Sequence, residues 1–145
     1  MKIKSVFTDN TRILKKYTCD GDNVNPAIEI SDVPTGAKSL ILIVDDPDAP
    51  GGTFVHWLVW NISPNTKKID EDSVPSNAVQ GITDFRRNEY GGPCPPSGTH
   101  RYKFKLYALD TILNIPTNSK SSYVQKAMQG HILAQTVLTG LYSRS

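Results

Sequence analysis

Two histidines and an acidic turn are the residues of this 145-residue sequence whose types and spacing suggest chemistry. The turn, Asp45–Pro50, follows one apolar segment, His56 lies in the next, and Tyr90–Tyr102 brings His100 to the start of a third. Each of these three features alone also has a structural explanation. The carboxylates of the turn can accept backbone N–H bonds, His56 can be an imidazole of the core, and the prolines can stiffen the loop before His100. Because all three lie at the ends of neighbouring predicted strands, we expect them to form one small-ligand pocket.

A metal-dependent hydrolase is the alternative that these residue types leave open. His56, His100 and Asp46 match the two-histidine, one-carboxylate donor set of some metal sites. Against it, the H-x-E and H-E-x-x-H spacings of metal hydrolases are absent. There is also no serine elbow motif, and Cys94 lies between two prolines with no neighbouring base. These absences weigh against the hydrolase, and we expect no metal and no cofactor.

Short apolar segments separated by glycine and proline must position these residues, and they predict an all-β fold, an antiparallel β-sandwich. Turn signals recur too often to leave room for helices between the strands. The segments with strand character are Met1–Phe7, Ala27–Ser31, Lys38–Asp45, Phe54–Ile62, Arg101–Leu109 and Ala134–Tyr142.

One short helix is predicted in the C-terminal half, at about residues 120–129, where apolar residues recur at helical spacing. Ser119 or Ser121 is expected to cap its start, and Gly130 stands where a C-terminal capping glycine would. The last apolar segment is then a closing strand. No repeat or linker divides the chain, so residues 1–145 are predicted to form a single domain.

Composition and charge limit the expected binding partners and the expected cellular location. The formal net charge is only +2, with no long run of lysine or arginine, so nucleic acid is not an expected partner. The longest apolar run, Leu40–Val44, is far too short to span a membrane, and no signal peptide is visible, so we expect a cytoplasmic protein. Exposed strand edges and the short chain predict a homodimer.

The two cysteines, Cys19 and Cys94, are 75 residues apart and form no C-x-x-C pair. Without a signal peptide, we expect both to be reduced, buried thiols.

Several motifs resemble those of one known family. They are D-P-D-A-P at Asp46–Pro50, H-W at His56–Trp57, and G-G-P-C-P-P-S-G-T-H-R-Y at Gly91–Tyr102. T-C-D-G-x-N-x-x-P at Thr18–Pro26 and G-H-x-L-A…L-x-G-x-Y-x-R at Gly130–Arg144 are typical of its short bacterial and archaeal branch. The sequence thus resembles the phosphatidylethanolamine-binding protein family, which includes the Raf kinase inhibitor protein.

The resemblance implies a β-sandwich with a small anion-binding pocket and no enzymatic activity. It implies a binder of phosphate-bearing small ligands or phospholipid head groups that regulates a partner protein, by inhibiting a kinase or a serine protease.

The side chain of Arg101 lies between His100 and Tyr102 in sequence and is expected to point away from the pocket. We expect it to pair with a carboxylate such as Asp48. An interaction domain with a vestigial pocket is the remaining alternative. Matched by motif, the implied ligand-binding residues are Asp46, Phe54, His56, Pro96, His100 and Tyr102.

The sequence departs from the family pattern just before the Gly-Gly-Pro run. Arg86 and Glu89 stand where the branch often has glycine. A side chain at a position that glycine holds at positive φ costs energy, so the path of this rim loop is open.

A negative Asp46 beside a bound phosphate is repulsive. We therefore expect binding to need a proton on His56 or His100, or one shared between Asp46 and the phosphate, and to tighten as pH falls.

Overall fold

A computed structural model of the chain describes residues 1–144 as two β-sheets and one short α-helix. One sheet has three strands in the order β1-β3-β6, and the other has six in the order β2-β9-β8-β4-β5-β7. All paired strands are antiparallel except β2 and β9. The elements are β1 (Lys2–Ser5), β2 (Thr11–Arg12), a 3-10 turn (Lys15–Tyr17), β3 (Ile28–Ser31), β4 (Ser39–Asp46), β5 (Phe54–Ile62), β6 (Lys68–Ile69), β7 (Val79–Gln80), β8 (His100–Leu109), α1 (Ser121–Met128) and β9 (Ile132–Tyr142).

The predicted all-β class is confirmed, and the burial of β4 explains its continuous apolar sequence. Leu40, Leu42 and Val44 pack into the core between the two sheets. Ile41 and Ile43 pack on the opposite face, in a second core that includes residues of α1. A strand covered on both faces needs apolar residues at every position rather than at alternate ones.

The helix was predicted in the right place, but its cap was not. Lys120 occupies the N-cap position and makes no side-chain capping bond, so the prediction of Ser119 or Ser121 is wrong. Both serines are buried, and the Ser121 hydroxyl accepts a hydrogen bond from Gln125 within the helix instead. Gly130 follows the helix at φ 81°, as predicted. Within the described part of the chain, no helix is long and apolar enough to cross a lipid bilayer.

Three strands escaped prediction because each has only two residues, too few to show a periodicity. They are β2, β6 and β7. The closing strand was predicted to start at Ala134 and starts at Ile132.

Cys19 and Cys94 form a disulfide, so the prediction of two reduced thiols is wrong. The fold brings their loops together: the Cys19 N–H donates to the carbonyl of Pro93 at 3.1 Å, and the two Cα atoms are 5.5 Å apart. A separation of 75 residues gives no sign of this proximity. Because disulfides persist mainly in oxidising compartments, the pairing does not support the predicted cytoplasmic location.

Candidate functional site

A small cavity lies at the end of the six-stranded sheet where three of its strands start or stop. β4 ends at Asp46, which pairs with Phe54 at the start of β5, and β8 begins at His100. The cavity has a volume of about 210 Å³. All six residues that the sequence analysis singled out line it. The complete lining is Asp46, Ala49, Pro50, Phe54, His56, Phe85, Cys94, Pro95, Pro96, His100 and Tyr102.

His100 and Asp46 form a buried pair on the wall of the cavity. Nδ1 of His100 lies 2.6 Å from Oδ2 of Asp46. The other carboxylate oxygen, Oδ1, accepts the backbone N–H of Asp48 at 2.8 Å. Both oxygens of the only acidic side chain in the lining are therefore bonded within the protein. Nδ1 of His100 is used in this pair, and its Nε2 has no hydrogen-bond partner among residues 1–144.

His56 is held in one orientation by a main-chain carbonyl. Its Nδ1 lies 2.7 Å from the carbonyl oxygen of Gly91, and because a carbonyl only accepts, Nδ1 carries the hydrogen. Burial lowers the pKa of His56, against the opposing effects of the Gly91 hydrogen bond and the Asp46 charge. The ring is therefore neutral near pH 7, and its Nε2 is a hydrogen-bond acceptor.

Aromatic rings enclose the His56 imidazole. The ring centroids of Phe54, Phe85 and Tyr102 lie 5.2, 5.1 and 5.3 Å from its own, all in edge-to-face arrangements. Phe85, which the sequence analysis missed, also packs against Phe54, with 4.8 Å between the two ring centroids. These walls make the cavity largely apolar around a few polar atoms.

The hydroxyl of Tyr102 is buried and has no hydrogen-bond partner among residues 1–144. Burial raises the pKa of Tyr102, so the hydroxyl keeps its proton. A buried hydroxyl without a partner costs stability. Such a group beside a cavity is available to donate to a ligand.

The rim loop holds Phe85 in place through its neighbour Asp84. The Asp84 carboxylate accepts the N–H of Val55 at 2.6 Å, and the Asp84 N–H donates to the carbonyl of Val55 at 3.0 Å. Arg86 has φ 65°, so a side chain does occupy a left-handed position there, as anticipated. Glu89 lies outside that region of φ. Of the two positions where the branch often has glycine, only Arg86 therefore has a left-handed backbone conformation.

The proline-rich loop passes close beneath Phe85. A Cβ atom on Gly91 would collide with the Phe85 ring, so any other residue at that position would force the ring to move. Further along the same loop, Cys94 lines the cavity, and its disulfide to Cys19 ties the loop to the N-terminal region. The disulfide therefore fixes one wall of the site.

Arg101 pairs with Asp48, as predicted. Its Nε and Nη2 donate to the two carboxylate oxygens at 2.9 and 2.8 Å, and its backbone N–H also donates to Oδ2. The paired guanidinium lowers the pKa of Asp48 to about 2. This cation is thus used outside the cavity, and neither lysine nor arginine lines the cavity itself.

The hydrolase alternative finds no support in the donor geometry. His100 and Asp46 face each other rather than a common point, and His56 uses Nδ1 on a carbonyl. Among the residues described, no three His, Cys, Asp or Glu side chains are grouped so as to hold a metal ion.

Comparison with known proteins identifies the family. The family model for phosphatidylethanolamine-binding protein matches residues 3–143. The chain belongs to the phosphatidylethanolamine-binding protein family. Among related sequences, a UPF0098 protein of Methanothermobacter thermautotrophicus is 45% identical over 99% of both chains. Another UPF0098 protein, from Aquifex aeolicus, is 49% identical over 95% of this chain and 85% of its own length.

Solved structures of the family superpose closely on this fold. A phosphatidylethanolamine-binding protein homologue from Chlamydia trachomatis has a TM-score of 0.95 and 40% identity, covering 99% of this chain and 97% of its own. Escherichia coli YbcL, described as a member of the mammalian family, has a TM-score of 0.92 and 31% identity, covering 99% and 98%.

Proposed function

We propose that this protein binds a phosphate-bearing small ligand or phospholipid head group in the cavity and thereby regulates a partner protein, without catalysing a reaction. The main support for this proposal is the arrangement of two histidines that line one cavity. His56 and His100 each form a hydrogen bond to a protein acceptor through Nδ1, which leaves Nε2 of each ring for a ligand. The unpartnered Tyr102 hydroxyl supplies a third polar contact. Three such atoms among apolar walls suit a small polar group.

The charges of the site favour a ligand that brings or takes up a proton. With Nδ1 as the donor, a neutral imidazole offers only an acceptor at Nε2, so a phosphate oxygen needs a proton on the ring or on itself. The second ionisation of a phosphomonoester lies near pH ~6 and that of histidine near ~6.5. Binding is therefore expected to tighten from about pH 8 to about pH 6, with proton uptake.

Size and polarity restrict the ligand further. A cavity of about 210 Å³ is smaller than the 300–1,000 Å³ of typical drug-sized sites. Phe54, Phe85 and the prolines can pack against a short apolar chain. A phosphate with a short organic substituent fits this combination.

Calorimetric titration with inorganic phosphate and with phosphoethanolamine tests the binding proposal. We expect His100→Ala to weaken binding about tenfold or more, the loss of a charge-assisted hydrogen bond. His131→Ala is the matched control because His131 forms a similar pair with Asp110 on the surface. Heat of binding that is absent in the wild type, or equal in both variants, would contradict the proposal and favour a vestigial pocket.

The regulatory part is tested separately, by inhibition of purified kinases and serine proteases. We expect any inhibition by the wild type to be altered by phosphoethanolamine. The double variant His56→Ala, His100→Ala should lose that response. Inhibition that is the same in the double variant would separate partner binding from the pocket.

A further inference from the structure

A second cavity, of about 430 Å³, adjoins the one described above and contains two cationic side chains. The two cavities share Ala49, Pro50 and Phe54 in their linings. We call the first the ligand cavity and the second the side cavity. Arg86 and Lys120 are the two cations that line the side cavity.

Main-chain hydrogen bonds bring the segments that carry the two cations together. Lys120 forms a parallel bridge with Ile82, whose N–H donates to the carbonyl of Ser119 at 3.0 Å. The N–H of Arg86 donates to the carbonyl of Thr83 at 2.9 Å, which closes a turn. Because Ile82 and Thr83 are adjacent in sequence, the bridge and the turn place both cations at the side cavity.

Neither cation is paired with a carboxylate. Among residues 1–144, Arg86 and Lys120 form no salt bridge, and both are exposed. The side cavity also contains Asp84, whose Oδ2 accepts the N–H of Val55 at 2.6 Å. Two cations and one carboxylate leave an excess of positive charge. The ligand cavity has the opposite composition, with Asp46 and neither lysine nor arginine in its lining.

Arg86 holds its position at a conformational cost. Its φ of 65° is left-handed, a region that disfavours residues with a Cβ atom. Backbone strain of this kind is found most often where a side chain has a functional task. Arg87, the next residue, provides a contrast. It has no positive φ, it pairs with Glu89 at 3.4 Å, and it lines a different cavity.

We propose that the side cavity is a subsite for a second phosphate, so that the ligand of this protein carries two phosphate groups on a short linker. The proposal rests on the proposed function of the ligand cavity. One phosphate then lies against His56 and His100, and the other against Arg86 and Lys120. The linker passes Phe54, which both cavities share.

The charge of the subsite favours phosphate over a carboxylate as the second group. A phosphomonoester carries a charge of about −1.5 to −2 near pH 7, which two cations can match. The guanidinium of Arg86 offers a planar fork of donors that fits two phosphate oxygens, and the ammonium of Lys120 supplies a point charge. Both form charge-assisted hydrogen bonds without the extra proton that the histidines of the ligand cavity require.

Calorimetric titration with two matched series of probes tests the proposal. One series contains alkanediol bisphosphates of increasing chain length, and the other contains alkyl monophosphates of the same lengths. We expect at least one bisphosphate to bind the wild type about tenfold or more tightly than its matched monophosphate, beyond the statistical gain from two equivalent groups. The gain should shrink at high salt because the two cations are exposed.

A double variant and a matched control locate the gain. Arg86→Asn with Lys120→Ala should abolish the difference between the two series, since asparagine tolerates a left-handed backbone and has no charge. Arg87→Ala with Lys126→Ala removes the same two charges from the neighbouring residue and from the last turn of α1. This control should keep the full difference.

The outcomes separate the subsite from the proposed function. Monophosphate binding with no gain for any bisphosphate would overturn the subsite and leave the ligand cavity as proposed. A gain that persists in Arg86→Asn with Lys120→Ala, or is lost in the control, would also overturn the subsite alone. If neither series binds to the wild type, both proposals fail.

Discussion

Two histidine–aspartate pairs with similar geometry lie in contrasting surroundings. In the cavity, His100 and Asp46 are 2.6 Å apart, with side chains 9% and 4% exposed. On the surface, His131 and Asp110 are 2.8 Å apart, and both side chains are 46% exposed. Water can replace either partner of the surface pair but not of the buried one. The comparison teaches that burial, rather than the pair itself, makes the interaction costly to break and available for ligand recognition.

Removing each carboxylate should give the largest difference between the two pairs. Asp46→Ala leaves the buried His100 ring and the Asp48 N–H without an acceptor and should lower the free energy of unfolding by about 3–5 kcal/mol. Asp110→Ala should lower it by less than about 1 kcal/mol. Urea denaturation of both variants measures these changes, and equal small losses would show that the cavity pair is not structurally important.

The disulfide is a second difference between the surroundings of the two histidine–aspartate pairs, because only the buried pair lines the cavity that Cys94 also lines. Cys19→Ala with Cys94→Ala should lower the free energy of unfolding by about 2–4 kcal/mol. It should also weaken phosphate binding, because Cys94 forms part of the cavity wall. Urea denaturation and calorimetry check the two effects. Reductant added to the wild type should reproduce them, and no change in either would contradict the assigned role.

The pH dependence of stability probes the buried site through His56. Its folded pKa is lowered by burial, so the unfolded chain binds more protons once the pH falls below about 6.5. Stability that is present above pH ~6.5 should be lost on acidification, by at most about 1.4 kcal/mol per pH unit. His56→Phe should remove this contribution. Denaturation curves at pH 5–8 measure it, and identical slopes for the variant and the wild type would argue against a neutral His56.

Tyr102→Phe should have the smallest effect, with opposite signs for binding and stability. Losing a neutral donor should weaken phosphate binding by about 1 kcal/mol. Deleting a buried hydroxyl without a protein partner should leave the free energy of unfolding unchanged or slightly raised. A marked loss of stability would show that the hydroxyl is bonded within the folded protein.

The long strands could be predicted because each carries many residues of one pattern. Phe54–Ile62 was predicted with its observed bounds, since its apolar run is buried nearly throughout. The helix cap was not predictable from residue preference, because packing buries Ser119 and Ser121 and places Lys120 at the N-cap. Two-residue strands depend on neighbours that are distant in sequence.

The candidate site also has residues that the sequence predicted and residues that it did not. The motifs brought six residues together correctly on one cavity, but whether these residues bind a ligand stays a prediction. Phe85 was missed because its place at the cavity depends on the hydrogen bonds of the neighbouring Asp84 with the main chain of Val55, which is distant in sequence. The disulfide was missed because only the folded chain brings Cys19 to Cys94.

The most direct test of the account is to observe the histidine nitrogens during a titration with inorganic phosphate. Long-range proton–nitrogen spectra of ¹⁵N-histidine-labelled protein report each ring nitrogen separately. We predict that the Nε2 resonances of His56 and His100 shift as phosphate is added, more at pH 6 than at pH 8, while those of His131 stay in place. Shifts confined to His131, or no shifts in any ring, would contradict phosphate binding in the cavity.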